Sequence, residues 1–166
     1  MVAFTTRMPA GIPGGISRGA GQATIEPQLN NTALPFARYG MFGKIVGGKF
    51  VPLVASDAGS VVYGLLVRPY PTGASQDGLG VSTPPQTASV ILDVMRRGYM
   101  SVRLVVGTAA KNGGVFVVTT AGGSVIVGDI VTSASPAGGG TAVQVPGAFF
   151  TGPADGAGNT EIAYNI

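Results

Sequence analysis

From residue 39 onward the chain alternates short apolar, β-branched runs with clusters of glycine and proline, whereas before it apolar side chains occur singly. Residues 41–46 and 49–54 are two runs joined by Gly47-Gly48, a pair suited to a two-residue hairpin with positive φ at both positions. Residues 61–67 predict a further strand. Residues 68–87, with Pro69, Pro71, Gly73, Gly78, Gly80, Pro84 and Pro85, then read as a long loop, and loops of that length inside compact domains tend to carry function. The runs at 89–94 and 99–106 flank Met95-Arg96-Arg97-Gly98 and read either as a hairpin or as two strands bent about the glycine. Val102, Leu104 and Val106 fall on one face of the second run and Arg103 on the other. Further strands are expected at 115–120, 125–132, 141–145, 148–151 and 161–166. No helix is expected: residues 88–97 are the one candidate, and Ser89, Val90, Ile91 and Val94 favour strand there.

Many short strands with turn residues between them indicate an all-β fold, a single small sandwich or barrel, jelly-roll-like, over residues 39–166. Residues 1–38 read as an extended N-terminal arm. The spacing of Pro9, Gly11, Pro13, Gly14, Gly15, Gly19 and Gly21 prevents a helix or a central strand. Ile12, Ile16, Ile25, Leu29 and Leu34 follow neither the helical nor the strand period, which suits a strap that sets single apolar anchors on another surface.

Composition narrows the function. The chain has 28 glycines and 12 prolines among 166 residues, a share at which disorder becomes a competing explanation. Recurrent β-branched runs and a hydrophobic fraction of 45% argue against it, because disordered chains combine low hydrophobicity with high net charge. Charged residues are only 10%, so the surface is covered by small polar residues or by a partner. The net charge of +3 comes from scattered residues, with Arg96-Arg97 the one adjacent basic pair, which is no nucleic-acid footprint. No stretch approaches the length of a spanning helix, and Pro9 and Pro13 interrupt any signal-peptide core, so neither a membrane nor secretion is implied. Absence of cysteine excludes disulfides and thiolate metal sites.

Candidate chemistry is sparse. With no histidine, acid–base catalysis would rest on Glu26, Asp57, Asp77, Asp93, Asp129, Asp155 and Glu161, which are dispersed and mostly in turn-like contexts such as Ser56-Asp57-Ala58-Gly59. Lys44, Lys49 and Lys111 lie in no nucleophile elbow, and Gly43-Lys44-Ile45 lacks the hydroxyl residue of a phosphate loop. The segment 154–161 holds oxygen ligands among glycines but does not match a calcium-loop template, so a hairpin loop is expected. No catalytic residue, metal or cofactor is assigned. The densest candidate is Arg96-Arg97-Gly98-Tyr99, where two guanidinium groups beside a tyrosine suit a partner's carboxylates or carbonyls.

Several segments in order resemble the structural cement, or decoration, proteins of tailed-bacteriophage capsids, in the group labelled Gp24-like. They are Phe4-Thr5-Thr6-Arg7-Met8-Pro9-Ala10-Gly11-Ile12-Pro13-Gly14, Val46-Gly47-Gly48-Lys49-Phe50-Val51-Pro52-Leu53 and Val62-Tyr63-Gly64-Leu65-Leu66-Val67-Arg68-Pro69-Tyr70-Pro71. Asp93-Val94-Met95-Arg96-Arg97-Gly98-Tyr99-Met100, Val127-Gly128-Asp129-Ile130-Val131 and Phe150-Thr151-Gly152 continue the resemblance. It implies a β-rich, non-enzymatic virion protein on the outer surface of the head, clamping neighbouring subunits of the major capsid protein as a dimer or trimer. The expected contact residues are Arg7, Ile12, Ile16, Arg18 and Ile25 of the arm, Arg68 and Tyr70 at the long loop, and Arg96, Arg97 and Tyr99. An alternative is a carbohydrate-binding or host-attachment module that uses the loop with Tyr70 as a stacking platform.

Overall fold

One long strand, Ile91–Val106, is the element on which everything else is assembled. In the computed structural model, which describes residues 11–69, 84 and 90–166, the strands are β1 (Thr24–Leu29), β2 (Phe42–Val46), β3 (Lys49–Pro52), β4 (Gly64–Leu66), β5 (Ile91–Val106), β6 (Gly114–Thr120), β7 (Ile130–Val131), β8 (Thr141–Phe150) and β9 (Asn159–Tyr164). The described residues contain no α-helix, only single 3₁₀ turns at Ala20–Gln22 and Gly59–Val61.

Pairing runs from β5 through β7, β6, β8 and β9 and returns to β5, so the second half of β5 is one stave of a closed barrel. All of these pairs are antiparallel except β5–β7. Met100, Val102, Leu104, Val117, Val145, Phe150 and Ile162 fill the interior, and Phe42, Leu65 and Met95 extend the same cluster beneath β2 and β4. Each such side chain contributes roughly 1.5–3 kcal/mol by leaving water.

The first half of β5 belongs to a second, smaller layer in which β4, β2 and β3 follow in order and β1 pairs with β5. One bridge, Asn30 to Phe50, links the end of β1 to β3. This layer surrounds Phe36, Tyr39, Met41, Phe50, Leu66, Leu92 and Val94, with the Phe36 and Phe50 rings stacked at 4.8 Å. The β2–β3 hairpin turns at Gly47 and Gly48 with φ of 56° and 75°, as the sequence required.

Of the two readings offered for 95–98, the strand bent about glycine is the one formed. Leu92 and Val94 point to the second cluster while Met95, Met100, Val102 and Leu104 point to the first, so the inward parity must change between 95 and 100. A register shift provides the change: Met95 faces Ile25 and Arg97 faces Thr24, which leaves Arg96 over. Gly98 then adopts φ 138°, and a Cβ there would sit 3.0 Å from Ala23. Arg96 and Arg97 therefore lie within a strand and not at a turn.

Three other elements differ from the pattern. Of 125–132 only Ile130–Val131 is strand, because Asp129 accepts a hydrogen bond from Ile126 N–H at 3.0 Å and closes a turn that outweighs the β-propensity of the apolar run. Residues 141–145 and 148–151 join into β8 across Pro146-Gly147. Within the segment read as an arm, β1 is an edge strand that tolerates Pro27; Ile25, Pro27 and Leu29 are exposed and Glu26 and Gln28 half-buried, the reverse of the usual alternation.

Candidate functional site

The N-terminal segment and the outward side of β5 bring together most of the residues singled out from sequence. Gly14 N–H donates to the Ser101 carbonyl at 2.8 Å, Ser101 N–H to Gly15 at 2.9 Å and Ser17 N–H to Tyr99 at 3.1 Å. Ile16, bridged to Met100, packs on the barrel core. Arg18 lays its guanidinium 3.7 Å over the Tyr99 ring and pairs with Glu161 of β9 at 2.8 Å. Ile16, Arg18 and Tyr99 thus hold the segment against its own barrel.

Arg96 stacks 3.7 Å over Tyr63, and its Nε is buried with no hydrogen-bond partner among the described residues. The Tyr63 hydroxyl donates to Glu26 and accepts from Gln28 Nε2 at 3.1 Å, which ties β1 to the residue preceding β4. The bond to Glu26, more than desolvation, pushes the Tyr63 phenol above its ordinary value. Arg97 is exposed beside Thr24.

The apolar anchors divide. Ile12 is 59% exposed and Ile25 43%, while Leu29 faces Ile91 across the β1–β5 ladder, and Ile91, at 72%, is the most exposed large apolar residue described. Sequence reasoning missed Ile91, since an apolar residue opening a strand resembles core. Arg68 donates from Nε to the Pro13 carbonyl at 3.3 Å and lies 5.1 Å over the Tyr39 ring. Arg7, Tyr70 and nearly all of the loop at 68–87 lie outside the described residues, as does Asp77.

The acids are engaged locally. Asp57 takes Lys44 at 2.7 Å and Val54 N–H at 2.8 Å, and buried Asp129 pairs with Arg38. Asp155 accepts from Ala157 and Asn159 N–H at 2.9 and 2.8 Å, which makes 154–161 a hairpin loop as expected. Among the described residues no group of three metal-ligating side chains occurs. What this surface offers is guanidinium groups, exposed aliphatic side chains and a strand edge, which is the chemistry of adhesion to protein.

Comparison with known proteins agrees. A family model described as structural cement protein (E217 gp24/Pam3 gp6) matches residues 2–165. A chain from the solved structure "The capsid of Myoviridae Phage XM1" has the same fold, with a TM-score of 0.67 over 98% of this chain and 95% of that one, at 16% identity. No curated protein matches.

Proposed function

The chain belongs to the phage structural cement protein family, and from that premise we propose that it decorates the outer surface of the head and clamps neighbouring subunits of the major capsid protein. It is a structural protein of the virion, carried on the capsid. The observation that carries the finer reading is the open apolar and basic surface along β1 and β5: Ile25, Leu29, Ile91 and Arg97 stand exposed on a chain with few charges elsewhere. Such a surface gains when a partner covers it. The segment to residue 38 serves as the strap, with Ile12, Ile25, Leu29 and Leu34 as its free anchors and the 39–166 domain as its base. Two or three copies share each contact on the shell. No catalytic step is assigned: of the described acids, Asp93 apart, Asp57, Asp129, Asp155 and Glu161 are engaged in turns or ion pairs and Glu26 accepts from the Tyr63 hydroxyl.

A protein that binds the assembled shell and not the free subunit stabilises the shell by mass action, about 2.7 kcal/mol per site at a hundredfold excess over Kd. The test uses shells lacking this protein. Added protein is expected to co-sediment at a fixed copy number and to raise the temperature at which shells break. Failure to bind intact shells at micromolar concentration refutes the proposal.

A further inference from the structure

Arg38, Arg68 and Arg103 line one cavity of about 170 Å³ together with Pro13 and Tyr39. They come from three distant parts of the chain, and the fold has to be assembled before they meet. The Gly14–Gly40 approach seats the N-terminal segment there: a Cβ on Gly14 would fall 2.5 Å from Tyr39 Cβ and 3.2 Å from Arg68 Cβ, and both glycines have positive φ. That approach places the Pro13 carbonyl on Arg68 Nε. Arg38 is fixed from behind by Asp129, whose side chain is 2% exposed and which also holds the 126–129 turn. Among the described residues no ion pair uses Arg68 or Arg103. Among the described residues the carboxylate of Asp129 is the one that pairs with any of these three guanidinium groups, so Arg68 and Arg103 meet no carboxylate there.

We propose that this cavity is a carboxylate-binding site that receives one acidic side chain of a capsid-shell subunit. The proposal deepens the capsid reading and rests on it. Guanidinium groups present planar pairs of donors that match a carboxylate; Arg38 and Arg68 are half-buried beside a tyrosine and a proline, and Arg103 stands exposed at the rim. The volume suits a side chain and not a polymer. A nucleic-acid partner would call for a stripe of basic residues tracking a phosphate backbone, whereas this chain has ten Lys and Arg in all, scattered along it. Sequence inspection picked out Arg68 alone of the three, because nothing in their spacing reveals that Arg38 and Arg103 share its cavity.

The experiment has two arms. In the first, wild type and the R68Q/R103Q variant are titrated onto shells lacking the protein at several salt concentrations, with far-UV circular dichroism checking the fold. At least a tenfold loss of affinity and a shallower salt dependence are expected; wild-type binding by the folded variant overturns the site. Wild type that fails to bind shells refutes the capsid reading instead, and the second arm then still reports on the cavity. There the isolated protein is titrated with N-acetyl-Gly-Glu-Gly-amide, its Gln counterpart and a short oligothymidylate, following arginine Nε–H resonances by NMR. Saturable shifts of Arg68 and Arg103 with the Glu peptide alone support a carboxylate site. Shifts with the oligothymidylate alone, equal shifts with the Gln peptide, or none at all overturn it.

Discussion

The barrel and the smaller layer share β5, but they are closed in different ways. Around Met100 and Phe150 the barrel closes by successive strand ladders, each with backbone hydrogen bonds on both sides and apolar side chains from five strands meeting inside. Around Phe36 and Phe50 the smaller layer closes at one point, the Asn30–Phe50 bridge, reinforced by side chains: Asn30 Oδ1 accepting from Val90 N–H at 2.9 Å and Tyr63 reaching Glu26 and Gln28. A closed barrel abolishes its strand edges, whereas β1 keeps an edge and an exposed aliphatic face. The difference separates two tasks within one small chain. The barrel encloses the larger buried core, and the layer carries the exposed aliphatic edge that we propose as the contact surface.

The sharpest way to break that division is to damage the barrel. Phe150 is fully buried in its interior and reaches the layer only through the shared cluster. Phe150→Ala is expected to cost about 3–5 kcal/mol, from lost transfer energy and the cavity left behind. Denaturant unfolding with both far-UV and tyrosine signals checks this. Coincident transitions that shift together mean that the layer has no stability of its own once the barrel fails.

How much of this contrast is legible in sequence depends on which interaction sets each element. Gly47-Gly48 and the alternation of Val102, Arg103 and Leu104 gave the hairpin and the inward face of β5, because turn chemistry and period-two patterning are local. β1 was hidden, since its exposed positions carry Ile25 and Leu29 and its half-buried ones Glu26 and Gln28; its inward polar residues are satisfied by Tyr63, which is distant in sequence. The same holds for contact residues. Arg18 and Tyr99 were singled out for a partner, and they hold each other. Arg38 and Arg103 were not singled out as contact residues because only the assembled fold places them beside Arg68.

A smaller, more local lesion tests the one-point closure of the layer. Asn30 is buried, and Asn30→Ala leaves Val90 N–H without its side-chain acceptor while the backbone bond from Asn30 N–H to Val90 at 3.0 Å remains. A loss of about 1–2 kcal/mol is expected. Amide hydrogen exchange locates it: faster exchange in β1 and β3, with β6 and β8 unchanged apart from any global term, fits an independently opening layer. Equal acceleration across both regions would show that the bridge supports the whole fold.

The smallest effect, and the most specific, belongs to Tyr63. Its phenol is held above the ordinary 10.0 chiefly by donating to Glu26, and burial raises Tyr39 and Tyr164 as well. A raised folded-state value means that the native form keeps its proton where the unfolded chain has lost it. The stability from this linkage is fully present below pH 10 and is lost as pH rises through the folded value. Tyr63→Phe removes the hydroxyl and keeps the ring beneath Arg96, so the loss at neutral pH is expected to stay below about 1 kcal/mol, given the partial exposure of the pair. Unfolding free energies measured from pH 7 to 11 should show the gap between wild type and variant narrowing above pH 10. Both proteins should still lose stability there, because Tyr39 and Tyr164 remain. A gap that stays constant through pH 11 would mean that the Tyr63–Glu26 bond contributes nothing to holding β1 in place, and the layer's closure would then rest on Asn30 and the Gln28–Tyr63 bond.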